Sequence, residues 1–524
     1  MSRSELIAVL LGSLVVALVS ARPYAGGWND GSRLAAVESL VDFGTLAIDQ
    51  SIFVDPARAN GAKATPYPPL DRLLMDRGTL DKVLVAGHYY SDKPMVPTVL
   101  MAAGYQLLQW TTGLQARARP DCFIYAMTLI SSGLAYVVAV LSIHILGRRF
   151  FPDARLALGV TLSFALGSAA LAYARQVNSH EGLLAVAAAL LVGLHALPQR
   201  ISRGTSPWGL LGDVVGSGSG QVRFPPSGGI KGGVSSCPQS QNTPLPPSRG
   251  ELKNDKSAVL GLLAGLGMLT GLGYGMDFAA GPLLLAAVLP LIAFRCHTMG
   301  RKGWGMIAVF LLATLPFIVL HHVLNYSIGG TIRPVNTVAE YLAWPGSPFD
   351  PGSATGRWHH RSIGRGVTYA LELLFGKKGF LLHHPVLILA LVGGIGGLLK
   401  ERARLPEWPE MLFAFAWSGA TWLVYAWGSN NYSGACATIR WFVPLLAPGY
   451  YVLLVVLHHW PDRERELVAL AAGGMVISAL MWWYGPWMPR MVPGYWFILA
   501  GILLSWGVSV SRLLKVTAVS ERRK

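Results

Sequence analysis

Apolar stretches near the length that a helix needs to cross a hydrocarbon core, roughly 20 residues, recur along the whole chain. They lie at about 6–21, 122–146, 155–173, 182–197, 258–276, 279–294, 304–324, 384–399, 410–427, 440–457, 467–484 and 495–511. This pattern predicts an all-α fold, a polytopic membrane helical bundle of about 12 spans. Of the 524 residues 52% are hydrophobic and 13% charged, with a mean hydropathy of +0.44. That leaves too few charges to solvate a globular surface of this size and excludes a soluble globular protein.

Orientation follows from the loops, because cytoplasmic loops carry the excess of Lys and Arg near membrane ends. With the N-terminus inside, alternate loops hold Arg148-Arg149, Arg200 and Arg203, Arg295, Arg301 and Lys302, Lys400, Arg402 and Arg404, and Arg463 and Arg465. The tail with Arg522-Arg523-Lys524 falls on the same side. The agreement requires that 94–113 does not cross. Pro94 and Pro97 in its first turn, with Gln106 and Gln109 beyond, suit a helix lying in the interface. Residues 22–120 then form one long first outer loop carrying interfacial helices. The expected location is the plasma (inner) membrane, multi-pass, with both termini cytoplasmic. Val19-Ser20-Ala21 resembles a signal cleavage site, but the topology works with an uncleaved first span.

The net charge of +16 calls for no nucleic acid, since most of the surplus sits at cytoplasmic helix ends facing anionic lipid headgroups. Lys93, Arg333, Arg357, Arg361, Arg365, Lys377, Lys378 and Arg440 break the bias by lying in outer loops. Outer cations of this kind point to an anionic ligand, with solvated loop residues as the plain alternative; function is favoured for Lys93 and Arg440. Cys122, Cys237, Cys296 and Cys436 have neither paired nor metal-ligand spacing. Cys122 and Cys436 are the pair that the outer face would bring together.

The chain divides into an N-terminal membrane module at 1–200 with its outer loop 22–120, an insertion at 201–256, a remaining bundle at 257–511 with an outer loop 325–385, and a basic tail at 512–524. The insertion, rich in Gly, Ser and Pro, buries too little apolar surface to order itself and is expected to be disordered and cytoplasmic. Its Gly228-Gly229-Ile230-Lys231-Gly232-Gly233 reads like translated repeat DNA.

The outer loop carries the chemistry. It opens with Trp28-Asn29-Asp30-Gly31-Ser32-Arg33 and closes with His88-Tyr89-Tyr90-Ser91-Asp92-Lys93-Pro94. Asp30 precedes 32–43, where Leu34, Val37, Leu40 and Val41 share one helical face, so it is expected at that helix's N-terminal end. Two roles compete for its oxygens: a cap for free amides, or a general base for an acceptor hydroxyl. Lys93 at a helix entrance offers an ammonium for phosphate, and Asp92 can hold that Lys or bind a divalent cation; a capping Asp beside a snorkelling Lys is the plain reading. A third outer turn brings Arg175, Asn178, His180 and Glu181, and the next adds Asp277. Asp92, His180, Glu181 and Asp277 together are a candidate set for Mg, Mn or Zn. Further on come Trp358-His359-His360-Arg361, Glu372 and Gly376-Lys377-Lys378-Gly379. The last outer turn runs from Trp427 through Tyr432-Ser433-Gly434 to Arg440-Trp441, which suits a planar cation facing a phosphate.

The order of these elements resembles the GT-C superfamily of integral-membrane glycosyltransferases, in particular the protein O-mannosyltransferase and aminoarabinose transferase group. The resemblance rests on Asn29-Asp30-Gly31-Ser32-Arg33, Tyr90-Ser91-Asp92-Lys93-Pro94 and Gly147-Arg148-Arg149-Phe150-Phe151, with softer matches at Gly376–Phe380, His384-Pro385, Tyr432–Gly434 and Arg440-Trp441. It implies a sugar moved from a polyprenyl-phosphate donor to an acceptor hydroxyl of a glycan, lipid or protein on the outer face, with inversion. By the same resemblance Asp30 is the general base, Lys93 and Arg440 hold the donor phosphate, and Asp92 with His180 or Glu181 organises the acceptor or a cation. The chain departs from the pattern at Met95, where relatives carry a second Pro, and at Ala435-Cys436-Ala437-Thr438, which bears on Arg440. The competing class is a transporter or flippase of lipid-linked sugars, which would place charged or helix-breaking groups near mid-membrane in matching halves. A scaffold would leave the polar outer clusters without purpose.

Overall fold

A computed structural model describes residues 1–59, 61–205, 249–297, 299–349, 356–488 and 490–521. The insertion expected at 201–256 lies for the most part outside the described residues. Each of the twelve apolar stretches is helical. The main helices are α1 Arg3–Ser20, α2 Trp28–Asp42, α3 Met95–Thr112, α4 Pro120–Phe150, α5 Ala154–Gly167, α6 Ser179–Ile201, α7 Ser257–Met276, α8 Ala280–His297, α9 Arg301–Gly329, α10 Ile363–Phe375, α11 Val386–Lys400, α12 Trp408–Gly428, α13 Arg440–His459, α14 Pro461–Tyr484 and α15 Tyr495–Ser511.

Among the described residues eight of these (α1, α4, α6, α7, α8, α9, α13 and α14) are long and apolar enough to cross a membrane, or nine if the bent unit Ile363–His383 plus Val386–Lys400 counts as one span. The chain is a polytopic helical membrane protein. The third stretch, 155–173, breaks at Ser168, where the Ala169 amide donates to His384 Nε2 at 2.9 Å instead of continuing the helical ladder. The two halves of the bent unit meet at 106° beside Pro385. On α10 the exposed apolar residues Ile363, Val367, Leu371 and Phe375 fall four apart, a stripe suited to the bilayer interface.

Close packing in the bundle uses small residues, as expected where lipid offers no hydrophobic drive for helix association. A Cβ on Gly267 or Gly271 of α7 would run into the carbonyls of Phe310 and Thr314 on α9. At the end of the bundle away from the outer loop, Arg295 of α8 grips the buried Glu410 of α12 at 2.6 Å. There too, Glu5 of α1 lies 3.1 Å from Arg148 and 3.2 Å from His144.

Residues 22–120 fold over the opposite end around a second core, where Leu34, Val37, Ile48, Phe53 and Tyr67 are buried with Phe123 of α4 and Ile328 of α9. The sheet in this region is a hairpin, β1 Lys82–Val85 against β2 His88–Ser91, in the register Lys82↔Ser91 to Val85↔His88. Its two-residue turn, Ala86-Gly87, has both φ angles positive, at 50° and 86°. That conformation matches the twist of paired strands. The segment 94–113, expected in the interface, forms α3 and is not among the candidate spans. α2 starts at Trp28, four residues before the expected Ser32, and is buried on all sides from Asn29 to Ser39 rather than lying half-exposed on lipid.

Candidate active site

α2 sets the geometry. Gly27 is extended at φ −171°, and Asp30 occupies the third position of the helix. From there its Oδ2 reaches back to accept the Gly26 amide at 2.6 Å. Capping therefore takes one oxygen. Oδ1 is buried and has no hydrogen-bond partner among the described residues. Burial raises the carboxyl from 3.8 to about 7 against the opposing pull of the Gly26 and neighbouring amides. A carboxylate that exchanges its proton near neutrality, with one oxygen free, is fit to act as a base. Gly31 is required beside it, because a Cβ there would collide with the Tyr67 hydroxyl.

Lys93 arrives from the end of β2 at the entrance to α3. Its Nζ lies 2.7 Å from Asp81 Oδ2 and 2.9 Å from Asp92 Oδ2, with its side chain 11% exposed. Asp92 thus holds the Lys, and its Oδ1 accepts from the Ser32 hydroxyl at 3.3 Å, which ties the hairpin to α2. Burial, helped by Asp81 and opposed by Lys93, keeps Asp92 above its ordinary value.

Arg440 comes to the same place from the start of α13. Turned so that its amide oxygen faces the cations, Asn29 accepts from Arg440 Nη1 at 3.2 Å and from Lys93 Nζ at 3.2 Å. One side chain adjacent to Asp30 thereby joins two cations that are far apart in sequence. The guanidinium lies 5.4 Å from the centre of the Trp487 ring, and its Nε is without a hydrogen-bond partner among the described residues. Its backbone amide donates to Ser433 Oγ at 3.0 Å. Tyr432, Ser433 and Gly434 are left-handed in succession, at φ 50°, 61° and 77°. This strained turn fixes Arg440 despite the departure at 435–438.

His180 and Asp277 form a pair within electrostatic reach of Arg33. His180 Nδ1 is 3.2 Å from Asp277 Oδ2, whose other oxygen accepts the Ala279 and Ala280 amides at 2.9 and 2.8 Å and the Tyr425 hydroxyl at 3.2 Å. Glu181 is fully buried, with neither oxygen hydrogen-bonded among the described residues.

The expected metal set of Asp92, His180, Glu181 and Asp277 is corrected. No group of three or more His, Cys, Asp or Glu suited to a metal occurs among the described residues. The cause is local pairing: Asp92 is turned to Lys93, and Asp277 is spent on amides, His180 and Tyr425. Cys122 and Cys436 are free, Cys122 beside Arg119 and Cys436 buried against Ser433.

Four contributors had no assigned role in the sequence: Asn29, Asp81, Trp487 and Arg33. Asp30 and Arg33 are three apart on one helix, which places them on one face, and that spacing was a signal for Arg33. Burial lowers Arg33 to about 10, helped by the positive charge of Arg440, so it stays charged at neutral pH. Nothing local marked Asp81 or Trp487.

These features define a membrane-embedded helical protein with a paired-cation site and a near-neutral carboxyl at one end of its bundle. Neither a protein-family model nor a curated protein sequence matches the chain. Among solved structures, ArnT from Cupriavidus metallidurans bound to undecaprenyl phosphate is similar over 97% of this chain and 77% of that one, at 14% identity and a TM-score of 0.43. The oligosaccharyltransferase of Archaeoglobus fulgidus in complex with Zn and sulfate is similar over 95% of this chain and 53% of that one, at 14% identity and a TM-score of 0.40. The likeness lies in the course of the helices.

Proposed function

We propose that the chain is a glycosyltransferase that moves a sugar from a polyprenyl-phosphate donor in the membrane to an acceptor hydroxyl on the outer face, with inversion. The observation that carries this reading is Asn29 accepting from both Lys93 and Arg440 next to Asp30, whose free oxygen titrates at about 7. In the reaction the acceptor oxygen attacks the anomeric carbon, Asp30 Oδ1 takes the hydroxyl proton, and the bond to the lipid phosphate breaks on the opposite side. Negative charge grows on that phosphate, and cations already in place stabilise it without reorganising. Arg440 has no carboxylate within ion-pair distance among the described residues, which leaves its charge to the phosphate. Lys93, held by two carboxylates, supplies a fixed positive edge. Asp30 and Asn29, the residue that joins the two cations, are adjacent on α2, which suits attack and departure across a single carbon. Asp30, Lys93 and Arg440 gather at one end of the bundle and not at mid-membrane, which favours transfer over transport. The acceptor is a glycan, lipid or protein, and the enzyme sits in the plasma membrane with both termini inside.

The test is transfer of labelled sugar from a panel of polyprenyl-phosphate donors in membranes holding the wild-type chain or Asp30→Asn at matched levels. Transfer by the wild type that disappears in the variant supports the reading. Equal transfer removes Asp30 as base, and no transfer from any donor removes the enzyme.

A further inference from the structure

Arg22 follows α1 and Arg175 precedes α6, and the Arg22 amide donates to the Arg175 carbonyl at 3.1 Å, so both side chains leave from one joint at the outer end of the bundle. Their guanidiniums lie against a single indole, Trp482 of α14, at 6.0 and 5.7 Å from its ring. That ring is fixed, because its Nε1 donates to Ser20 Oγ at 2.9 Å. Arg175 is 7% exposed and gives one nitrogen, Nη1, to the Trp483 carbonyl at 3.0 Å. The Nε of each arginine is buried without a hydrogen-bond partner among the described residues, and neither arginine has a carboxylate within ion-pair distance there.

Two like charges on one ring repel each other, and burial adds to the cost. Burial and then Arg22 bring Arg175 down to about 10, so it keeps its charge at neutral pH. Other cations in the protein are matched, Lys93 by Asp81 and Asp92 and Arg295 by Glu410. An unmatched pair of guanidiniums with free N–H groups is a seat for an oxyanion, carboxylate or phosphate. Gln176 ties this seat to the reaction centre. Its side chain is 7% exposed, its Oε1 has no hydrogen-bond partner among the described residues, and a Cβ on Gly26 would collide with its Nε2. The Gly26 amide is the one that Asp30 Oδ2 accepts. A substrate whose hydroxyl meets Asp30 therefore passes Gln176 before it reaches the two arginines. Trp483 and Tyr484, both exposed, mark the level of the membrane interface, where a substrate arrives from water.

We propose that Arg22 and Arg175 hold an anionic group of the acceptor, which is an acidic saccharide: its carboxylate or phosphate lies on the two guanidiniums and a neighbouring hydroxyl donates to Gln176 Oε1. The proposal rests on the transferase reading above and names the acceptor class. It is measured by binding, without transfer.

The experiment uses the full chain in phosphatidylcholine nanodiscs. Binding is measured for a panel of oligosaccharides carrying glucuronate or a phosphomonoester, and for their methyl-esterified or dephosphorylated counterparts, with the wild type, Arg22→Gln, Arg175→Gln, Arg175→Lys and Gln176→Ala. An acidic member of the panel is expected to bind more tightly than its neutral counterpart. Its affinity should fall about tenfold or more in Arg22→Gln and Arg175→Gln and less in Arg175→Lys, with the neutral counterpart indifferent to all three. Arg22 is half-buried, so Arg22→Gln carries the test where Arg175→Gln fails to fold. Gln176→Ala should weaken acidic and neutral forms alike, since it removes a hydroxyl contact and no charge. Acidic saccharides that bind no better than their neutral counterparts, or that ignore both glutamine variants, overturn the proposal. So does phosphatidylglycerol, added to the discs, if its binding falls in these variants and the saccharides' does not, because the pair then holds a bilayer headgroup. If transfer occurs but acidic and neutral acceptors serve equally, the inference fails and the transferase stands. If acidic saccharides bind through the arginines while no donor supports transfer, the reverse holds.

Discussion

Sugar transfer by this chain should switch on with the ionisation of Asp30. The carboxyl titrates at about 7 instead of 3.8 because burial penalises the anion more than the Gly26, Gly27 and Gly31 amides favour it. A shift of about three units is worth about 4 kcal/mol between the two protonation states. Since the folded value lies above the unfolded one, this group stabilises the fold below about pH 4, and the contribution fades as pH rises towards about 7. Activity should run the other way. With one proton lost at about pH 7, kcat/KM is expected to rise about tenfold per pH unit below that point and to level off above it. Asp30→Asn keeps an oxygen for the Gly26 amide but removes the proton acceptor, so the rate should fall by about 10²–10⁴. The acid limb of the profile should vanish with it. The assay is initial transfer rate in nanodiscs between pH 5.5 and 8.5. Asp92 also titrates above its ordinary value, so the variant is the decisive arm. A flat wild-type profile, or the same acid limb in Asp30→Asn, refutes the assignment.

Other consequences are structural. Lys93→Ala leaves Asp81 and Asp92 buried without their cation, and thermal denaturation should show a loss of about 3–5 kcal/mol, partly recovered by adding Asp81→Asn. Gly267→Val drives a branched side chain into the Phe310 carbonyl and should cost at least about 1–3 kcal/mol, or abolish assembly of α7 on α9. Ala86→Gly removes the left-handed strain of a Cβ at φ 50° and should stabilise the hairpin by about 1 kcal/mol, read as slower hydrogen exchange in β1 and β2.

The helices were legible because crossing a bilayer leaves a signal of length and hydropathy that needs no knowledge of neighbours. The start of α2 was not: Trp28-Asn29-Asp30-Gly31 reads as a polar turn, and only the second core, which 22–120 share with α4 and α9, makes a buried helix of it. Asp30, Lys93 and Arg440 could be singled out as residues in unusual places, yet their meeting at Asn29 joins segments some 60 and 410 positions apart, which no local pattern encodes. The metal set failed for the same reason in reverse. Four side chains of ligating type on outer segments were a candidate set whose convergence sequence does not show, and Lys93 and the Ala279 and Ala280 amides claim two of them. Arg33 was marked in the sequence only by its three-residue spacing from Asp30, and its burial, with Nε and Nη1 unpaired among the described residues, comes from the fold.

The most direct test of the central claim follows the donor's phosphorus by NMR as the purified chain in nanodiscs meets a polyprenyl-phosphate sugar with and without acceptor. The account predicts that the phosphodiester signal converts to a phosphomonoester only when acceptor is present, and that Asp30→Asn blocks the conversion. A phosphodiester that stays intact while the lipid changes leaflet would contradict it and make the chain a transporter.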